Sequence, residues 1–230
     1  MDNRTLYTAI GHLKKKNEGF GQTYPVILVN RQEYLMDMQE MTVWTALCWR
    51  LMDYKQLQNK YEQLAKELPF YKYTLESCVE RLKTRGLIAA GSGETDFDAL
   101  YDLLGGLYVV PISERFPLRL ATFLKLVLIK SVPAKQAGIL FQRDHPNEQE
   151  AKVIALSKQA LLSTAELIKC FDVGAQDISN GRKLMDALYN DSDTTSDNIS
   201  FLMQGSLNKA PVTTAVANLY LRKQIIFERV

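Results

Sequence analysis

The chain has 230 residues, 47% of them hydrophobic, and a formal net charge of +2. That length admits one large domain or two small ones, each with a buried core. So small a net charge excludes a protein that holds nucleic acid by bulk charge alone, and any nucleic-acid site must be local.

From the N-terminus, residues 1–24 read as loosely structured, with Gly11, Gly19 and Gly21 around Lys14-Lys15-Lys16. Val26-Ile27-Leu28-Val29 and Tyr34-Leu35-Met36 read as a two-stranded hairpin leading into a first helix, which carries Val43, Trp44, Leu47, Cys48 and Leu51 on one side. Asp53 caps a second helix, with Gln56 completing a capping box. Leu57, Tyr61, Leu64 and Leu68 keep the helical period until Pro69 stops it. A third helix begins near Tyr73. Its Leu75, Cys78, Val79 and Leu82 share one face, and Gly86 suits a left-handed C-terminal cap ahead of the apolar run Leu87-Ile88-Ala89-Ala90. Gly91-Ser92-Gly93 reads as a turn. Thr95 caps a short helix with Phe97, Leu100, Tyr101 and Leu104, Gly105-Gly106 closes it, and residues 107–112 read as a strand paired with 87–90.

Residues 118–129 are apolar on nearly every side apart from Arg119 and Lys125, too few to span a bilayer, and read as a core or interface helix. Asn147 caps a helix containing Val153, Ile154, Leu156, Leu161 and Leu162, and Ser163 with Glu166 forms a second capping box. Residues 172–197 read as a polar loop broken by a short helix around 183–189, followed by a helix over 211–222 and a strand over 224–228. Val79-x-x-Leu82-x-x-Arg85 and Val216-x-x-Leu219-x-x-Arg222 share a frame, each before a strand, which leaves open a repeat of the first half in the second.

Catalytic and metal signatures are missing from this pattern. His12 and His145 stand apart from cysteines and carboxylates at ligand spacing, no glycine run has the spacing of a phosphate or dinucleotide loop, and no serine sits in a nucleophile elbow. The expectation is therefore no enzyme, no metal and no cofactor. Cys48, Cys78 and Cys170, far apart in apolar helical patterns, read as buried reduced thiols, and no apolar run of signal-peptide length follows the lysines; both point to the cytoplasm.

The segment from Val26 to Ile112, with Val43-Trp44-x-x-Leu47 in the first helix and Leu82-Lys83-Thr84-Arg85-Gly86-Leu87-Ile88 at the third helix and following strand, resembles the winged helix-turn-helix domain of bacterial transcription regulators. The resemblance implies a mainly α fold with small β-wings: a winged-helix domain over 25–115 with a helical insert in its wing, and a mostly helical second domain over 116–230, with a second winged-helix-like unit left open. It implies a third helix lying in the major groove of double-stranded DNA, with Lys72, Tyr73, Ser77, Arg81, Lys83, Thr84 and Arg85 as the contacting set, in a dimeric regulator without a membrane segment. On that reading Arg81→Ala weakens DNA binding and leaves folding intact. The alternative is a tandem winged-helix subunit that binds protein, as in accessory factors of chromosome organisation or replication initiation. The charge over residues 73–85 discriminates: a continuous positive patch favours DNA, and a neutral or apolar one favours a protein partner.

Overall fold

The computed structural model describes residues 4–18, 22–66, 72–112, 146–191 and 193–229. The architecture is mixed α/β, with helices packed around three small antiparallel sheets. The apolar 118–129 segment, and with it the expected interface helix, lies outside the described residues.

In the first half, β1 (Arg4–Ala9) is the central strand of a sheet, flanked by β5 (Met52–Asp53) and β6 (Ile88–Gly93). A second sheet is the meander β2 (His12–Glu18), β3 (Gln22–Val29) and β4 (Gln32–Tyr34). The N-terminal segment expected to be loose is thus strand: its alternation is masked by lysines on exposed positions, while Ala9 and Ile10 are buried. Helix α1 (Met38–Leu47) opens with the capping box Asp37/Glu40, and α2 (Tyr54–Ala65) with the box Asp53/Gln56. Thr74 caps α3 (Leu75–Thr84), which buries Cys78, Val79 and Leu82.

After β6, helix α4 (Asp96–Leu104) packs back on that strand so closely that a Cβ at Gly91 or Gly93 would collide with the α4 backbone. These glycines are strand residues that admit a helix, not turn residues. Strand β7 (Tyr108–Pro111) does not pair with β6 as the sequence suggested. It is instead the centre of the third sheet, between β8 (Leu162–Ser163) and β9 (Ile225–Glu228).

The second half repeats the first. Around β7 come α5 (Glu148–Gln159), β8, α6 (Thr164–Asp172), α9 (Lys209–Leu221) and β9, the counterparts of α1, β5, α2, α3 and β6. The strand registers coincide. Leu6 pairs with Asp53 and Tyr7 with both Met52 and Ala90; in the same places Tyr108 pairs with Ser163 and Val109 with both Leu162 and Phe227. Both third helices end in the same hydrogen-bond pattern, Gly86 N–H to Lys83 O and Leu87 N–H to Leu82 O, matched by Lys223 N–H to Tyr220 O and Gln224 N–H to Leu219 O. The left-handed residue this ending requires is Gly86 (φ 70°) in one unit and Lys223 (φ 61°) in the other. One difference among the described residues lies between the second and third helices. The second unit inserts α7 (Gly181–Leu188), α8 (Ile199–Leu202) and a 3-10 turn there.

The units share one continuous core. At their seam the Tyr220 hydroxyl, on α9, accepts the Trp49 N–H at 2.9 Å and bonds to the buried Thr8 hydroxyl at 2.9 Å, while the Tyr220 ring stacks on Phe227 with centroids 4.4 Å apart. The main chain bridges the units as well, from Gly11 N–H to Phe227 O at 2.7 Å. We predict that Tyr220→Phe, which keeps the ring but orphans the Trp49 N–H while the Thr8 hydroxyl keeps its bond to Arg50 O, lowers unfolding free energy by about 1–3 kcal/mol in urea denaturation. An unchanged midpoint would show that the Tyr220 hydroxyl contributes nothing to the seam.

Candidate interaction surface

The expected contact set is on α3 and its approach, where the structure brings Lys72, Tyr73, Arg81 and Arg85 together around the Tyr73 ring and Glu40 and ties Lys83 and Thr84 to Glu80. Buried Gln39, at the start of α1, fixes the entrance: its Oε1 accepts the N–H groups of Lys72 (3.0 Å) and Tyr73 (3.1 Å), and its Nε2 donates to Tyr73 O (2.5 Å) and the Tyr61 hydroxyl (2.9 Å). Lys72 is exposed, with Nζ 5.1 Å from the Tyr73 ring centroid, and the Arg81 guanidinium covers the same ring at 4.3 Å. Lys72, and after it Arg81, pull the Tyr73 hydroxyl below the usual phenol range. Ser77 is half-exposed, its N–H bound to the Thr74 cap.

The cations on this face are already engaged. Glu40, 2% exposed, accepts from Arg85 Nη1 at 2.9 Å on Oε2, and Arg81 Nη2 stands 2.9 Å from its Oε1 as an ion-pair contact outside hydrogen-bond alignment. Arg85 Nη2 also donates to Leu35 O at 2.5 Å. Lys83 Nζ donates to Glu80 Oε1 at 2.9 Å, and the exposed Thr84 returns its hydroxyl to Glu80 O. Lys72, Arg81, Lys83 and Arg85 therefore face Asp37, Glu40 and Glu80, which leaves one net positive charge. The expectation that Arg81→Ala spares the fold is revised, because Arg81 helps neutralise a buried carboxylate.

Sequence reasoning missed Glu40 and Gln39, although Asp37-x-x-Glu40 is a capping-box spacing that could have been read. It also missed the exposed apolar pair Leu35 (63%) and Met38 (66%), which follow β4 beside Arg85. The outer edge of β4 has no strand partner among the described residues. The matching helix of the second unit offers no such surface: Val212, Thr213, Ala215, Val216, Ala217, Leu219 and Tyr220 of α9 are all buried.

The cysteines are free thiols, and burial pushes Cys48, Cys78 and Cys170 each up to about 11, so they stay protonated at neutral pH. Among the described residues no cluster of metal-ligating side chains occurs, and no helix is long and apolar enough to cross a membrane. Comparison of the chain with protein-family models, curated proteins and solved structures found no match.

Because Arg85 is the aligned partner of a carboxylate shut away from water, Arg85→Met should cost about 2 kcal/mol, less than for a wholly buried pair since Arg85 is 30% exposed. Glu40→Gln combined with Arg85→Met should recover much of that loss. A double-mutant cycle in urea checks this, and additive losses would remove Glu40 as the common partner.

Proposed function

We propose that the chain is a tandem winged-helix protein without catalytic activity, whose first unit docks a segment of a protein partner along β4 and the exposed face of α3. The order α1, β5, α2, α3, β6 around a small antiparallel sheet supports the winged-helix reading, and its repetition supports the tandem form. The observation that carries the choice of partner is the neutralisation of the α3 face: Arg81 and Arg85 converge on Glu40, Lys83 on Glu80, and the net charge over the face is close to zero. A second observation points the same way. Where a DNA-binding wing would extend from β6, the chain turns into α4, which packs back on β6, and β7 joins the other sheet.

An open strand edge offers unpaired backbone groups to an extended chain. Beside it, Leu35 and Met38 present apolar side chains, and the exposed Lys72 supplies positive charge for an acidic residue of the partner. The second reading is a transcription regulator binding double-stranded DNA through α3. It is favoured by Lys72, Tyr73 and Arg81 standing together at the head of the helix, where phosphate contacts are natural.

A photo-crosslinking residue placed at Leu35, and separately at Thr84, separates the two in cells. The protein reading expects a protease-sensitive adduct of defined mass at both positions, with twice the chain mass if the partner is a second copy. A nuclease-sensitive adduct at Thr84, with duplex retarded by the purified protein at physiological salt and released about tenfold more readily from Arg81→Ala, would establish the DNA reading instead.

A further inference from the structure

A cleft of about 580 Å³ lies on the seam between the units, with the end of α1 on one side and the turn from α9 to β9 on the other. Its size is that of a small-molecule site. Trp44, Trp49 and Cys48 give it an aromatic and apolar lining, and the exposed Leu13 and Leu221 extend that lining toward solvent. Among the described residues its charged lining is Arg50 and Lys223, and no carboxylate belongs to the wall.

The cationic groups are not all engaged. Lys223 Nζ stands 5.7 Å from the Trp49 ring centroid and makes no ion pair among the described residues. His12 is not such a group: its Nδ1 is shut from solvent and faces Glu228, whose Oε1 stands 3.9 Å away. The backbone on both walls is held in an uncommon state. Trp49 has φ 53° and Lys223 φ 61°, and Trp49 is pinned there by its N–H to Tyr220 and its indole N–H to Ile225 O at 3.2 Å. Bulky residues kept at positive φ by surrounding contacts cluster at ligand sites. Burial keeps the Cys48 thiol protonated, so the cleft is suited to binding and not to nucleophilic chemistry.

We infer that this cleft binds a small planar carboxylate, with an aromatic or conjugated body against the indoles and its anionic end at Lys223. The indoles match a flat apolar body, and the Lys223 ammonium beside Trp49 matches a carboxylate better than a neutral amide.

Trp44 and Trp49 are the only tryptophans in the chain, so the intrinsic emission of the full-length protein reports on this cleft. Benzoate, phenylacetate and 3-phenylpropionate are titrated against benzamide, phenylacetamide and acetate. The expected result is a saturable emission change with at least one aromatic carboxylate, and about tenfold weaker response from its amide and from acetate. Lys223→Asn removes the charge while keeping a residue that tolerates the left-handed backbone, and should weaken carboxylate binding about tenfold with melting temperature unchanged. Absence of saturable change with all three carboxylates, or an amide binding as tightly as its acid, overturns the assignment without recourse to any variant. Equal binding by a folded Lys223→Asn overturns it too.

Discussion

A buried glutamate at the third position of the first helix holds each unit together. Glu40 and Glu150 are 2% and 1% exposed, and each accepts the N–H of its own helix cap and the guanidinium of the arginine that ends the third helix, Arg85 or Arg222, at 2.9 Å. A carboxylate removed from water is costly unless it is paired and hydrogen-bonded. The arginine can satisfy it only when the third helix ends beside the start of the first, so the ion pair fixes one helix against the other. The left-handed ending at Gly86 and Lys223 then turns the chain straight into the sheet.

From this shared frame the units diverge by the residue four positions before that arginine. In the first it is Arg81, which brings a second cation to Glu40 and stacks on Tyr73. In the second it is Asn218, and Arg222 is the cation that Glu150 meets among the described residues. The α3 face is consequently polar and partly open, whereas α9 is enclosed by α4, α5, α6 and the 3-10 turn. The insertion between α6 and α9 supplies that turn, and α4 comes from the first unit. Burying one third helix thus joins the units and leaves the other available.

The sequence was most legible where chemistry is local. The capping boxes at Asp53 and Ser163, the helix cap at Asn147 and the glycine cap at Gly86 stand where the sequence placed them, because each needs only residues three or four apart. The valine, leucine and arginine frame before each last strand marked a real correspondence, although seven residues could not establish it. Long-range pairing was illegible. Nothing in Tyr108–Pro111 says that it joins β8 and β9 in preference to β6, since an apolar strand suits either edge and the choice depends on α4 filling the space beside Gly91 and Gly93. Arg81 and Arg85 read as free cations for the same reason: their partner lies some forty residues earlier, and sequence shows a charge without showing what neutralises it.

The same neutralisation separates the two surfaces by what they can attract. On α3 the carboxylates of Glu40 and Glu80 cancel most of the positive charge, so the remaining forces are apolar contact at Leu35 and Met38 and backbone pairing at β4, which suit a polypeptide. At the seam no carboxylate among the described residues lines the cleft or pairs with Lys223, which the left-handed turn before β9 places beside Trp49 where the first unit has glycine. A lysine is a poorer choice than glycine for that backbone, and what it adds is an ammonium 5.7 Å from the Trp49 ring centroid. The same left-handed ending thus carries no side chain at Gly86 and a cation on the cleft wall at Lys223.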